Sequence, residues 1–223
     1  MNRFTLGLIL IVIFASCSNT PELETGEIKT LEIINQAFQK SGQRKLFIDS
    51  RQLLNRKKID KAKIPVLFVE LPSDQNGTLT LYPGQGDGQT WLGADGATIT
   101  LWRGVLKASR GMGNDLMGST SSMPPWSKIK NKTQIYNREL IYLTGNNKIF
   151  KRSFKCEIQR VGEKEIIKVW DVNFKVIKFE ENCSNSSFKF KNTYFLDTKN
   201  IVRRSLQHHS NTIGSIVIER VDR

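Results

Sequence analysis

The reactive side chains of this 223-residue sequence are few, and their spacing limits the chemistry they can do. The only two histidines, His208 and His209, are adjacent and end a strand pattern. Successive side chains of a strand point to opposite faces, so the two histidines cannot readily bind one metal ion. We expect both to be exposed to solvent. The sequence has no His-Glu-x-x-His motif, no Gly-x-Ser-x-Gly motif and no recognisable pair of carboxylates. We therefore predict no catalytic residue, no metal site and no cofactor.

A glycine-rich segment, residues 84–88, looks superficially like a phosphate-binding loop. A Walker loop needs a lysine and a hydroxyl residue at the start of a helix, where backbone amides point at the phosphate. Here Thr90 and Trp91 begin a strand pattern instead. We interpret the segment as a loop between strands. Asp87 and Asp95 provide too few clustered oxygen ligands for a calcium site.

The first 17 residues have the pattern of a targeting signal. Arg3 is followed by an uncharged apolar run from Phe4 to Phe14, and small residues precede Cys17. This pattern predicts a secretory signal that is too short for a spanning helix of about 20 apolar residues. A cysteine after two small residues resembles the bacterial lipoprotein signal. By that resemblance residues 1–16 are the signal peptide and Cys17 carries the acyl chains, palmitate among them.

Lipidation would also determine where the mature chain is located. By the same resemblance, Ser18 stands where an aspartate would retain an enterobacterial lipoprotein in the inner membrane, so we expect the outer membrane, facing the periplasm. Acyl chains add about 0.8 kcal/mol of membrane affinity per buried CH₂. Nucleic acid is not an expected partner in this compartment. Residues 17–26 then form a polar tether, and residues 27–223 form a single β-rich periplasmic domain.

The two remaining cysteines, Cys156 and Cys183, are an even pair in an oxidising compartment. Neither belongs to a Cys-x-x-Cys motif, and no histidine lies near either of them in the sequence. We predict a structural disulfide between them rather than a redox or metal pair. In the chain-entropy model such a bridge contributes about 3–4 kcal/mol.

The most unusual stretch is 102–126, which is rich in Gly, Ser, Met and Pro. We interpret it as a strand followed by a long loop, and long loops are uncommon unless they are functional or disordered. It could cap an open end of the β core, or it could be a lid or a partner-docking surface of adaptable apolar character. The candidate contact residues are Arg110, Met112, Asp115, Met117 and Trp126.

The chain is strongly basic. Lysine and arginine number 34 against 21 aspartates and glutamates, which gives a net charge of +13. The positive charge is spread over the whole sequence. It could serve solubility alone, or it could attract anionic polymers such as acidic polysaccharide or the phosphates of lipopolysaccharide.

Hydrophobic periodicity predicts a mainly β fold with one N-terminal helix. Residues 27–40 place their apolar side chains on one helix face. From Ile64 onward the period is two: 64–71 is typical of a buried strand, Asp95-Gly96 indicates a hairpin, and 170–176 alternates apolar and polar residues. Successive strands with short turns predict an antiparallel meander that forms a curved sandwich or a partly open barrel.

Several segments carry a family resemblance: the signal ending at Cys17 and residues 91–96, 103–107, 111–116, 190–197 and 205–207. Together they resemble the YjbF/GfcB family of outer-membrane lipoproteins, which are encoded with exopolysaccharide and group 4 capsule export systems. The resemblance implies a β-rich periplasmic body and a role in making or exporting a surface polysaccharide, but it carries over no catalytic residue. Residues 190–197 and 205–207 also contain several polar side chains. Their polar residues could equally be buried groups that tie strand ends together, namely Asn192, Tyr194, Asp197, Ser205 and Gln207.

Three functions follow from these patterns. The favoured one is a non-enzymatic accessory lipoprotein in capsule or exopolysaccharide assembly or export, with polysaccharide export proteins or acidic polysaccharide as its partners. The second is an enzyme acting on periplasmic glycan, which needs a cleft with two carboxylates about 5–10 Å apart. The third is a lipid-binding carrier, which needs a hollow barrel lined by residues such as Trp170 and Phe174.

Overall fold

A computed structural model describes residues 50–84, 88–129, 132–143, 146 and 148–223. The predicted signal peptide, tether and helix over 27–40 lie outside these residues, as does most of the glycine-rich loop. The described residues form three short helices and twelve strands. The helices are α1 (Ser50–Leu53), α2 (Arg56–Ala62) and α3 (Trp126–Ile129); the strands are β1 (Val66–Glu70), β2 (Asn76–Leu81), β3 (Gly88–Gly93), β4 (Thr98–Trp102), β5 (Val105–Arg110), β6 (Leu116–Ser121), β7 (Gln134–Leu143), β8 (Ile149–Val169), β9 (Val172–Ser184), β10 (Lys189–Asp197), β11 (Val202–Ser210) and β12 (Gly214–Arg220).

The twelve strands form one antiparallel sheet in the order β5-β4-β3-β2-β1-β12-β11-β10-β9-β8-β7-β6. Strands that are consecutive in the sequence pair with each other, with the exception of β5 and β6, which stand at the two ends of the sheet. In addition, the first strand, β1, pairs with the last strand, β12. The sheet curves so that these two ends meet, which makes a nearly closed barrel. The predicted mainly β, antiparallel meander is therefore confirmed.

The main hydrophobic core fills the inside of the barrel. Alternate residues of each strand point inward, as the period-two pattern requires. Trp91 on β3, Phe179 on β9 and Tyr194 on β10 are among its largest fully buried side chains. Trp126 of α3 packs against both Phe179 and Tyr194. The centroid of its ring lies 5.2 Å from that of Phe179 and 5.3 Å from that of Tyr194. This short helix therefore contributes to the main core.

A second, smaller core lies between the outer face of β1, helix α2 and the long β8–β9 hairpin. Phe68 points outward from β1 and meets the edge of Trp170 at 5.5 Å between ring centroids. Phe174 and Ile59 belong to the same cluster. Trp170 and Phe174 thus pack against neighbouring elements and do not line a cavity, which removes the feature on which the lipid-carrier hypothesis depends. No helix among the described residues has the length and apolar character needed to cross a bilayer.

Side chains, rather than a backbone ladder, close the seam between β5 and β6. The Lys107 ammonium donates to the carbonyl of Ser119 at 2.8 Å, and the Arg110 guanidinium donates to the carbonyls of Leu116 and Met117 at 3.1 and 3.2 Å. The hydroxyl of Ser109 accepts from the backbone N–H of Leu116 at 3.0 Å. These bonds satisfy edge groups that would otherwise be left unpaired.

The β4–β5 turn crosses the end of the barrel and touches β11. Gln207 holds it in place: its side-chain carbonyl accepts from the Leu106 N–H at 2.8 Å, and its amide donates to the Gly104 carbonyl at 2.9 Å. Gly104 has φ +83°, and a Cβ there would lie 2.5 Å from Cγ2 of Val202. Only glycine fits this position, for both its backbone conformation and its close contact.

Replacing Gly104 by alanine should destabilise the fold. The left-handed backbone costs an L-residue about 1–2 kcal/mol, and the forced contact with Val202 adds about 1–3 kcal/mol. Gly96, in the β3–β4 turn, is a matched control because it has φ +84° but a Cβ there would meet nothing within 4 Å. We expect Gly96→Ala to lose only the backbone part of the free energy of unfolding, measured by urea titration. Equal losses in the two variants would contradict the packing argument.

Candidate ligand site at the barrel mouth

A pocket of about 310 Å³ opens at the end of the barrel where β4 and β10 finish. This volume is at the lower end of the range for small-ligand pockets, about 300–1,000 Å³. The residues around it come from β1, β3, β4, β11, β12 and two turns. They are Leu67, Gln89, Trp91, Leu101, Arg103, Gly104, Asn200, Ile201, Val202, Ser205, Ile218 and Arg220.

The β4–β5 turn forms one wall of this mouth pocket. It consists of Arg103 and Gly104, both with positive φ, at +53° and +83°. The indole N–H of Trp126 donates to the Arg103 carbonyl at 3.1 Å, and Gln207 holds the next carbonyl. The backbone that carries the Arg103 side chain is therefore fixed from two sides.

The β10–β11 turn, residues 198–201, contributes another part of the pocket wall through Asn200 and Ile201. One buried carboxylate shapes this turn. Oδ1 of Asp197 accepts from the backbone N–H groups of Lys199 and Ile201 at 2.8 and 2.9 Å. Oδ2 accepts from Nε of Arg203 at 2.7 Å, and Arg203 is itself almost fully buried. With three donors, the Asp197 carboxylate has its hydrogen-bonding needs met and fixes the backbone of the turn. The turn places Asn200 at the mouth pocket.

The mouth pocket is positive. Arg103 and Arg220 stand on it, and none of its lining residues is Asp, Glu, His or Cys. Arg220 is 5.4 Å from the centroid of the Trp91 ring, and its Nε donates to Asp222 at 3.0 Å. Arg103 lies over the Trp102 ring at 4.3 Å and makes no ion pair with any described carboxylate. The lining can therefore hold an anion or a polar ligand, but it has no side chain for metal binding or glycoside hydrolysis.

A second group of polar residues lies deep inside the barrel, around the fully buried Glu181. Its Oε2 accepts from Asn192 at 2.8 Å and from the Tyr194 hydroxyl at 2.7 Å. Its Oε1 accepts from the Tyr136 hydroxyl and lies 2.9 Å from Nη2 of Arg138. Five side chains from three strands thus form one buried network, and the ion pair is almost fully removed from water.

Burial and the ion pair shift the protonation equilibria of this network in the direction that keeps it intact. Burial raises the pKa of Tyr136 and Tyr194, and the Glu181 carboxylate raises both further. Burial disfavours the charge on Arg138, but Glu181 and the two tyrosines outweigh it and raise the Arg138 pKa. The phenols stay neutral donors and the guanidinium stays charged, so the network is built for structure rather than proton transfer.

The predicted disulfide is present beside this network. Cys156 and Cys183, 27 residues apart, face each other directly on β8 and β9 and are bonded. Their sulfurs and the Glu181 carboxylate lie close enough together to be considered as metal ligands. With both sulfurs in the bridge, however, no thiolate is available, and Glu181 is already occupied by its donors. The cluster therefore favours the structural interpretation.

The two histidines are buried, contrary to the expected exposure. A β-bulge between His208 and Ser210 interrupts the alternation of β11, and both neighbouring histidines are buried. His208 stacks on the Phe190 ring, with centroids 4.6 Å apart. Nε2 of His209 shares a 2.8 Å hydrogen bond with the hydroxyl of Ser109. Burial lowers the pKa of each histidine to about 4, with His209 adding to the effect on His208.

The candidate contact segment is mostly framework. Where one long loop was expected, residues 111–115 and 122–125 form two short loops, with β6 between them and α3 after the second. Gly111 and Gly113, with φ +77° and +76°, allow the chain to reverse quickly in the first loop. Asp115 accepts from the N–H groups of Gly111 and Met112 at 2.8 and 3.0 Å. Arg110 and Met117 belong to the seam, Met112 packs on the main core, and Trp126 is buried.

The sequence pattern predicted part of this arrangement. Asn192, Tyr194, Asp197, Ser205 and Gln207 were expected as possible buried ties, and all five are buried and hydrogen-bonded. The pattern did not single out Arg103, Arg220, Arg138 or Glu181. Arg103 could have been recognised from the residue that follows it, Gly104, because Arg-Gly is an unusual pair for a two-residue hairpin turn.

Comparisons with known proteins give a matching family and a similar fold. The family model described as "Group 4 capsule polysaccharide lipoprotein gfcB, YjbF" matches residues 32–221. The crystal structure of the lipoprotein YmcC from Escherichia coli K12 is similar, with a TM-score of 0.66 and 15% identity over 82% of this chain and 98% of that one. An exported protein with a YmcC-like fold from Bacteroides fragilis matches with a TM-score of 0.35 and 11% identity, over 70% of this chain and 92% of that one. No curated protein matches the sequence.

Removing the charge of Glu181 should strongly destabilise the barrel. Glu181→Gln leaves the Arg138 guanidinium buried without a counter-charge, and breaking a buried ion pair from one side costs about 3–5 kcal/mol. Glu180→Gln is the matched control one residue away, where the carboxylate pairs with Lys178 and Lys191 near the surface. We expect it to lose at most about 1 kcal/mol of the unfolding free energy in urea titrations. Similar losses of unfolding free energy in both variants would show that the buried ion pair contributes no more to stability than the ion pairs near the surface.

The buried histidines should make the fold acid-sensitive. A histidine with pKa about 4 when folded and 6.5 when unfolded binds fewer protons in the folded state, so stability falls as pH drops from about 6.5 to 4. For His209 this loss is about 2 kcal/mol between about pH 7 and about pH 4.5. His209→Gln can keep the bond to Ser109 without titrating, so its urea midpoint should fall less over this range. Parallel pH curves for the variant and the parent would refute the assignment.

Proposed function

The chain belongs to the YjbF family of group 4 capsule polysaccharide lipoproteins, and from this membership we propose a specific role. It is an outer-membrane-anchored lipoprotein that faces the periplasm and assists the assembly or export of a capsule or exopolysaccharide. The single observation that carries the proposal is the family match, which covers residues 32–221. The match therefore includes nearly all of the residues that form the barrel.

The anchor in this proposal is Cys17. The apolar run before it and the small residues Ala15 and Ser16 support cleavage and acylation at this cysteine. Ser18, in place of aspartate, supports the outer rather than the inner membrane. Two or three acyl chains hold a protein at a membrane without any contribution from its folded surface.

An accessory role, rather than catalysis, is supported by the chemistry of the mouth pocket. Its lining has two arginines, amides and an indole but no carboxylate, histidine or cysteine. The enzyme alternative needs two carboxylates on one cleft, and this pocket lacks them. The carrier alternative needs Trp170 and Phe174 around a cavity, and both pack in the second core. Binding is the activity that the site supports best.

The proposed partners are polysaccharide export proteins or acidic polysaccharide. The net charge of +13 supports attraction to an acidic polymer. The contact surface predicted from the sequence is retained in this proposal for its exposed part, the turn around Gly111, Gly113 and Asn114. That turn lies at the end of the barrel opposite the mouth pocket, so a protein and a polymer could bind at the same time.

Loss of the anchor should abolish the function without unfolding the protein. The variant replaces residues 1–16 with the signal of a soluble secreted protein and carries Cys17→Ser. We expect it to appear in the soluble periplasmic fraction without the acyl mass, and surface polysaccharide to fall to the level of a strain lacking the gene. Ser18→Asp is the matched variant for location and should move the protein to the inner-membrane fraction. Normal surface polysaccharide in the strain lacking the gene would overturn the proposed function.

A further inference from the structure

We propose that the mouth pocket binds one anionic sugar unit of a polysaccharide chain, with Arg103 and Arg220 as the groups that recognise its negative charge. The inference rests on the proposed function, and it adds the site and the chemical class of the ligand. Four properties of the pocket support it. They are a positive charge that the protein balances only in part, the unfavourable backbone conformation of Arg103, polar groups with spare hydrogen-bonding capacity, and the volume of the pocket.

The protein balances only part of the charge of the pocket, because Asp222 pairs with Arg220 but no described carboxylate pairs with Arg103. Arg103 has no ion-pair partner among the described residues, and its side chain is exposed at the rim. Arg220 uses Nε for Asp222 and packs over Trp91, and no described acceptor binds its terminal nitrogens. Guanidinium groups bind carboxylates and phosphates through pairs of parallel hydrogen bonds. Two of them on one pocket therefore favour an anionic ligand.

Arg103 occupies a backbone conformation that does not suit it. Both residues of the β4–β5 turn have positive φ, which is the geometry of a type I′ turn, and Asn-Gly or Asp-Gly is the preferred pair for such a turn. A long side chain at the first position costs stability, and the hydrogen bonds from Trp126 and Gln207 hold the turn despite that cost. The backbone of the turn does not require an arginine, and the Arg103 guanidinium is left available for a ligand.

The floor of the pocket offers hydrogen-bonding groups that suit a sugar. The indole N–H of Trp91 is buried and has no acceptor among the described residues. The Ser205 hydroxyl accepts from Gln207 at 2.9 Å, and its own proton has no described acceptor. Gln89 adds an exposed side-chain amide at the rim. These donors and acceptors complement hydroxyl groups, while the apolar surface comes from Leu67, Leu101 and Ile218.

The size of the pocket decides between a sugar unit and larger anions. A volume of about 310 Å³ accommodates a single ring with its substituents, and the open side of the mouth lets a chain continue outward. The pocket is too small to enclose acyl chains, and its apolar part is a floor rather than a channel. A monosaccharide unit bearing a carboxylate or a phosphate meets all four conditions.

The test uses the full-length lipidated protein, purified in detergent, and isothermal titration calorimetry at low salt. The probes are tetragalacturonate, glucose 1-phosphate and the neutral maltotetraose. We expect at least one anionic probe to bind and maltotetraose to bind at least about tenfold more weakly. Binding of tetragalacturonate identifies a carboxylate sugar, and binding of glucose 1-phosphate alone identifies a phosphorylated one. Binding should weaken as salt rises, because the contacts are charged.

Arg103→Asn separates binding from folding. It removes the guanidinium and places the preferred Asn-Gly pair in the turn, so the melting temperature should not fall. Its Kd, and that of Arg220→Gln, should rise at least about tenfold, as expected for loss of a charge-assisted hydrogen bond. Lys164→Gln on the exposed part of β8 is the matched control for loss of one charge and should change the Kd less than about twofold.

Three results would overturn the inference: no binding of either anionic probe, equal binding of maltotetraose, or unchanged affinity in Arg103→Asn. The proposed function is tested separately in cells. If neither anionic probe binds but the parent gene restores surface polysaccharide to a strain lacking it, the inference fails while the proposed function stands.

Discussion

The buried carboxylate of Glu181 is the interaction on which the barrel depends. It lies on β9 and is bonded by side chains of β7 and β10, including the charged Arg138. In an environment of low dielectric constant such a charge is tolerated only when it is paired and hydrogen-bonded. Five side chains must therefore converge on one point, and this requirement fixes the register of three strands. The Cys156–Cys183 bridge ties a fourth strand, β8, to the same place.

A series of hydrogen bonds connects the Glu181 network at the centre of the barrel to the mouth pocket. Asn192 donates to Glu181 and accepts from the backbone N–H of His208 on β11. The neighbouring Gln207 then holds the turn that carries Arg103 and Gly104. The position of the rim arginine is thus set by contacts that begin at the buried ion pair. A stable framework of this kind is what a pre-formed binding site requires.

Two different solutions close the barrel. The β1–β12 pair joins the first and last strands of the described chain by an ordinary backbone ladder. The β5–β6 seam uses side chains instead: Lys107, Ser109 and Arg110 bond the backbone of the opposite strand. The unusual composition of 102–126 is explained in part by this seam, because small residues and glycines fit a place where two edges approach without a ladder. This member of the capsule lipoprotein family therefore has a nearly closed barrel among its described residues, and the pocket at one mouth is lined by two arginines.

The sequence by itself determined the class of the fold, the hairpin at Asp95-Gly96, the cysteine pairing and the family, because these depend on local periodicity, turn chemistry and short motifs. It could not determine which polar residues are buried together. Glu181 and Arg138 lie on separate strands in an ordinary alternating pattern, and only the tertiary structure brings them into contact. The predicted exposure of His208 and His209 was wrong: both are buried, beside a bulge that interrupts the alternation of β11. Arg103 and Arg220 are far apart in the chain and meet at one pocket only because the sheet curls into a barrel.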